Sequence, residues 1–293
     1  MHAPDALLGD RLELTTVLTL PFAIAAAISY GLSDYVGGRA SERIDARVVA
    51  LISQACAAVL AVLLVVSPAG QGAPTGADVL WGAGAGLGSA IGNVLIYRGI
   101  ATSSVTSVAP MSGVVAVTIP VVVGVAFGGL PTPLQTAGLI AVVPGIWLVA
   151  AGGRSEVDRR GLLIGAGAGA GFGTQFTCLG QTSEAAGLVP LAIGQGVSVA
   201  LLAVLAVGVL RTGGPLPRRT VGMAAVAGVL AGVATVSYQI AAQLGDLAIA
   251  AAVTSLYPAV TVIAAAIVTR RWWTRTEGIG LALCTLALVL IST

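Results

Sequence analysis

Apolar residues run along this chain in blocks of helical membrane-crossing length, and charge, proline and glycine gather between the blocks. The uninterrupted stretches fall at 15–37, 47–67, 79–100, 104–127, 134–151, 161–180, 187–210, 220–244, 247–269 and 277–293. A spanning helix needs roughly 17 to 25 residues of this kind. The blocks lack the polar/apolar alternation of barrel strands, and a water-free bilayer leaves only helices as the other way to satisfy the backbone. The pattern predicts an all-α integral membrane protein with ten transmembrane helices.

Composition excludes other classes. Apolar residues make up 57% of the 293 positions and charged residues 9%, whereas a soluble domain carries about 25% charged. The glycines sit among Ala, Val and Leu rather than among Ser, Gln and Glu, which argues against disorder. Net charge is +2 with no run of like charges, so nucleic acid has no electrostatic footprint. Cys56, Cys178 and Cys284 are far apart within apolar stretches and read as small apolar residues. His2 is the only histidine, which removes His-based metal sites and triads; no metal or cofactor is expected. The first residues are followed by a full-length span and do not resemble a cleavable leader.

All fourteen basic residues are arginine, and their placement is biased. Arg39, Arg43 and Arg47 lie between spans one and two, and Arg98 near the end of span three. Arg154, Arg159 and Arg160 follow span five; Arg211, Arg218 and Arg219 follow span seven; Arg270, Arg271 and Arg275 follow span nine. The positive-inside rule puts these odd-numbered connections in the cytoplasm and both termini outside.

An internal repeat is visible at an offset of about 141 residues. Gly31, Gly38, Ser41 and Glu42 match Gly173, Gly180, Ser183 and Glu184; Ile52 and Gln54 match Ile193 and Gln195; Tyr97 matches Tyr238, and Pro120 matches Pro258 with a small gap. This divides the chain into 1–151 and 161–293 with a charged linker at 152–160. Five helices per repeat is an odd number, so the second copy must thread the membrane in the opposite sense. Two inverted halves around a shared site suggest alternating access.

Ionisable groups within spans are the first functional candidates because they are costly there. Asp34 and Arg98 qualify, both read as lying in the last turns of their helices, where they either snorkel to the interface or pair across a cytoplasmic gate. No carboxylate lies near the middle of a span, which favours facilitated diffusion or exchange, with Asp34 the only local candidate for proton coupling. Neutral polar and aromatic positions, Tyr30, Asn93, Tyr97, Phe172, Gln175, Tyr238, Gln239 and Tyr257, either hydrogen-bond between helices or line a cavity. The Gly-x-Gly strings at 82–92 and 165–173 read as close helix packing; with no preceding strand and no GK[ST] they are not phosphate loops. Pro120 and Pro258 are candidates for kinks that bend spans four and nine during gating.

These residues resemble the drug/metabolite transporter superfamily, specifically its ten-helix EamA-type members. AISYGLSDYVGG in span one, LIYRGIATSSVTSVAPMSGVVAVTIPVVVG across spans three and four, and AAVTSLYPAVTVIAAAIV in span nine carry the likeness, with PTPLQTAGLI and EGIGLALCTLALVLI similar to entries into the fifth and tenth helices. The chain departs from the family's Gly-Glu pairs after helices four and nine, with Gly129 and Arg271 at the glutamate positions. The resemblance implies two inverted five-helix repeats in a bacterial cytoplasmic membrane, around a cavity lined by Tyr30, Asp34, Asn93, Tyr97, Gln175, Tyr238 and Tyr257. It implies a secondary transporter, exporting small organic metabolites such as amino acids or amphipathic drug-like compounds. Import of a small metabolite or sugar and a non-carrier channel are the alternatives. An intramembrane enzyme would need clustered acids, His or a Ser/Lys dyad, and the sequence offers none.

Overall fold

The computed structural model describes residues 3–68, 70–128, 132–151, 158–245, 247–270 and 274–291. Eleven α-helices occur among them: α1 (Ala3–Ser41), α2 (Ala46–Val65), α3 (Gly76–Thr102), α4 (Val105–Gly128), α5 (Pro133–Ala151), α6 (Arg159–Gly180), α7 (Val189–Thr212), α8 (Arg218–Leu244), α9 (Leu247–Thr254), α10 (Tyr257–Val268) and α11 (Arg275–Ile291), with a 3-10 turn at Glu184–Ala186. His2, Gly129, Arg271 and most of the charged linker lie outside the described residues. Among the described residues, six stretches are long and apolar enough to cross a membrane: α2, α3, α6, α7, α8 and Ile249–Val268. Shorter apolar helical runs occupy Ser107–Pro120 and Thr136–Gly145.

Local chemistry sets the helix starts. Thr75 and Asp78 form a reciprocal capping box at α3. Asp45 and Asp158 accept the second backbone N–H of α2 and α6, each at 2.9 Å. Two ends differ from the apolar pattern. The pattern ends span one at residue 37, but α1 continues to Ser41, because Gly37 and Gly38 lie directly under the Tyr97 ring and the Ile100 side chain. Span nine is broken: α9 stops at Thr254, and α10 restarts at Tyr257 with Pro258 in its first turn. Its counterpart Pro120 sits inside a continuous α4.

The packing is inside-out relative to a soluble bundle. The buried set is dominated by alanine, while Leu80, Leu163, Val204 and Ile140 expose two-thirds or more of their surface. Hydrocarbon attracts a leucine as well as another leucine does, so helices associate through small residues that allow close approach. The glycine strings do this. A Cβ on Gly171 would stand 2.6 Å from the Gly92 nitrogen, and one on Gly88 would stand 2.5 Å from the Gly171 oxygen.

The registers fix relative directions. Gly82 abuts Pro190 and Gly86 abuts Gly194, so α3 and α7 run parallel; Gly228 against Ser53 and Gly232 against Ala57 make α8 and α2 parallel. Gly165, Gly169 and Gly173 meet Val108, Ser112 and Ala116, making α6 and α4 parallel. Gly99 meets Ile164, Gly167 meets Leu95 and Gly84 meets Cys178, so α3 and α6 are antiparallel. Tyr30 pairs with Thr235 and Ser33 with Ala227, so α1 and α8 are antiparallel too.

Candidate functional site

Helices α1, α2, α3, α4, α6, α7, α8 and α10 bring polar side chains together in the centre of the molecule. Tyr30 is the hub. Thr235 spends its hydroxyl proton on the Ala231 carbonyl at 2.7 Å, so the Tyr30 hydroxyl, 2.8 Å away, donates to Thr235; it accepts in turn from Gln175 Nε2 at 3.0 Å. The same logic orders a second chain. Ser33 donates to the Ala227 carbonyl at 2.8 Å, so Tyr97 donates to Ser33 at 3.3 Å and accepts from Ser53 at 3.2 Å. In both chains a tyrosine hydroxyl donates to a threonine or serine hydroxyl, which in turn donates to a backbone carbonyl.

Around Tyr30 the rings of Phe172, Phe176 and Tyr257 stand 6.3, 5.8 and 6.3 Å away between centroids. Phe172 meets Tyr257 edge-on at 5.8 Å, and Phe176 lies 4.5 Å from Tyr238. Such tilted and edge-to-face pairs suit the ring quadrupoles. Tyr257 bonds Ser112 at 2.5 Å, and Tyr238 donates to the Phe176 carbonyl at 2.8 Å. The break between α9 and α10 falls at the level of this cluster, and the hydroxyls of Thr254 and Ser255 there are buried without a partner among the described residues.

Asp34 lies one helical turn from Tyr30 and is 2% exposed. It sits two turns inside the end of α1 rather than in its last turn. No hydrogen bond or ion pair reaches its carboxyl among the described residues. The gate pair with Arg98 is not formed: Arg98 is exposed near the end of α3, and among the described residues the side-chain ion pairs at this end are Arg39–Glu42 and Asp45–Arg47. Asn93 donates to the Ser89 carbonyl at 2.8 Å. Gln239 stands apart from the cluster, donating to Gly187 O at 2.9 Å at one face of the molecule.

A small void of about 10 Å³ lies beside the hub, bordered by Ser89, Gln175, Gln195 and Thr235. It is close to the least space that holds one water. The Oε1 atoms of Gln175 and Gln195 are buried and unpartnered among the described residues. Gln54, which the repeat aligns with Gln195, is satisfied instead, donating to Ser89 at 2.6 Å and Ser198 at 2.8 Å. At the same offset the residues matching Ser89 and Ser198 are Leu230 and Ala57, which have no hydroxyl.

The two faces of the molecule differ. At one, the α2–α3 and α6–α7 loops are stitched together: Ala73 N–H to Ala185 O at 2.8 Å, Leu188 N–H to Gly70 O at 3.1 Å, and Ser183 N–H and Oγ to the Asp78 carboxylate at 2.7 and 3.1 Å. Gly187, at φ +56, makes the turn that places its carbonyl under Gln239. At the other, arginine-rich face, a pocket of about 370 Å³ opens among Ser41, Asp45, Arg47, Val94, Arg98 and Thr102. Sequence reasoning missed Asp78, Ser89, Ser198 and Thr235. Only Asp78 carried a readable signal, the Thr-x-x-Asp spacing ahead of a helix.

Residues 159–293 match the sequence model of the EamA-like transporter family. Over that stretch, the second half of the chain is similar to that family. A solved structure described as "Crystal structure of protein" superposes with a TM-score of 0.72 at 12% identity, covering 93% of this chain and 95% of its own. At that identity the likeness shows a shared fold across nearly the whole length. No curated protein matches the sequence. The similarity to the EamA-like transporter family and the apolar helices support an integral membrane protein.

Proposed function

We propose that the chain is a secondary transporter exporting small organic metabolites, amino acids or amphipathic drug-like compounds, by alternating access between two oppositely threaded halves. One observation carries this reading: the helix pairing repeats when the halves are exchanged. The α1–α8 pairing has its counterpart in α3–α6, and both are antiparallel. The α2–α8 pairing has its counterpart in α3–α7, and both are parallel. Gly37 and Gly38 of α1 meet Tyr97 and Ile100 of α3, which puts α1 and α3 in the same sense; α6 runs opposite to α3, so α1 and α6 point opposite ways, as two inverted copies require. Units related this way can exchange conformations and open one site to each side in turn.

In this reading Tyr30, Asp34, Asn93, Tyr97, Phe172, Gln175, Tyr238 and Tyr257 form the substrate region. The conformer is sealed at the face where Asp78 meets Ser183, and each of these eight side chains is 5% exposed or less. The break at Pro258 and the matching Pro120 supply the places where spans nine and four bend. Asp34 couples transport to protons, since a buried carboxyl without a counter-ion changes charge when the site hydrates and dries. Gln239 belongs to the seal and Arg98 to the opposite mouth.

Counterflow in proteoliposomes tests the carrier reading. Vesicles preloaded with an unlabelled amino acid or a cationic dye should accumulate the labelled compound transiently, and uptake should saturate. Linear, non-saturating flux without counterflow would mean a channel.

A further inference from the structure

The pocket at the arginine-rich face is not part of the central cluster. It lies between the start of α2 and the end of α3, and its volume of about 370 Å³ is within the range of small-ligand sites. Its charges are unequal. Asp45 is chelated by Arg47, whose Nε and Nη2 reach its two oxygens at 2.9 Å each. Arg98 has no hydrogen bond or ion pair to its guanidinium among the described residues. The Ser41 hydroxyl at the rim is buried and without a partner among the described residues. Arg98 also acts on Asp45 through its charge, but two guanidinium groups stand against one carboxylate, so the pocket is net positive beside one idle hydroxyl, which suits an anion.

The surface leading away from the pocket identifies the source of that anion. Leu87, Ile91, Val94 and Arg98 follow one another at spacings of four, three and four residues, so they share one face of α3. Leu87 and Ile91 are 47% and 48% exposed. A soluble anion has no use for an apolar track; a lipid has both parts. We propose that this pocket takes the phosphodiester headgroup of an anionic phospholipid, with Arg98 and Ser41 on the phosphate and an acyl chain along Ile91 and Leu87. Basic pockets at helix ends commonly hold such headgroups. The inference needs only that the protein is membrane-embedded, and stands apart from any transport mechanism.

The test is native mass spectrometry of the full chain, delipidated in detergent and titrated with dioleoyl phosphatidylglycerol, dioleoyl phosphatidylcholine or inorganic phosphate. Wild type should retain one phosphatidylglycerol in preference to phosphatidylcholine, and Arg98→Gln should weaken that binding about fivefold, the scale of one arginine at a membrane surface. Arg98→Lys should recover most of it. Should Arg98→Gln fail to fold, rising salt must still weaken phosphatidylglycerol binding to wild type. Equal retention of the two lipids, no loss on Arg98→Gln, salt-independent binding, or displacement of the lipid by millimolar inorganic phosphate would each overturn the assignment.

Discussion

Asp78 and Ser183, from opposite halves of the chain, meet through two hydrogen bonds: the Ser183 N–H and hydroxyl reach the Asp78 carboxylate at 2.7 and 3.1 Å. Ser41 is the counterpart of Ser183, and the offset that carries Tyr97 onto Tyr238 carries Asp78 onto Arg219, next to Thr220. At that second place the hydroxyls of Ser41 and Thr220 are buried and unpartnered among the described residues. The carboxylate thus marks one face and not its counterpart, which gives a physical reason for the closed side of this conformer.

Removing the carboxylate should loosen that face. Cys178 packs against Gly84 in the last turns of α6 beneath it and is buried. In a Cys56→Ser, Cys284→Ser background, Asp78→Ala should speed labelling of Cys178 by a membrane-impermeant maleimide. An unchanged rate would show that the backbone stitches alone keep the face closed.

Glycine positions differ sharply in what they tolerate. A methyl at Gly171 runs into the Gly92 backbone, so Gly171→Ala should destabilise by about 1–3 kcal/mol, the usual scale of overpacking. Gly222, on the same kind of helix, has nothing within 4 Å of a Cβ. Gly222→Ala should be neutral or stabilise by up to about 1 kcal/mol through helix propensity. Thermal unfolding of the two variants in detergent checks the pair.

Asp34→Asn keeps the shape of the side chain and removes its titration. If the carboxyl couples transport to protons, the variant should lose the response to an imposed pH gradient while retaining counterflow. Gradient-driven transport that survives the substitution would assign coupling elsewhere.

Asp45 gives a pH signature of stability. The Arg47 guanidinium, and then its main-chain N–H, hold the Asp45 carboxyl below the usual carboxylate range. The folded value lies under the unfolded one, so the contribution is complete above about pH 4 and is lost as pH falls through the depressed folded value. Asp45→Ala should cost about 1 kcal/mol at neutral pH, mostly the lost cap, because a half-exposed ion pair adds little. The gap between wild type and variant should narrow in acid.

Much of this architecture was legible in the chain because lipid imposes a coarse rule: apolar length and bounding charge locate helices without any tertiary knowledge. The misreadings arise where tertiary contacts decide. Gly37 and Gly38 resemble a helix end, but the side chains of Tyr97 and Ile100 pack on them and α1 continues, which moves Asp34 into the interior. Pro120 and Pro258 are alike in sequence, yet only the ninth span breaks. Gln54 and Gln195 are matched residues, and what separates them is serine or an apolar residue on other helices. Tyr30, Tyr97, Gln175, Tyr238 and Tyr257 were readable as a group, since phenols and amides in apolar spans need partners; the identity of those partners was not.

The opposite threading of the two halves is tested most directly at Glu42 and Glu184, which the repeat aligns and which are both exposed. Single cysteines at these positions, in a background free of other cysteines and in oriented cells or vesicles, would be labelled with an impermeant maleimide from one side at a time. The account predicts that Glu42→Cys reacts only from the cytoplasmic side and Glu184→Cys only from the opposite side. Labelling of both from the same side would contradict it.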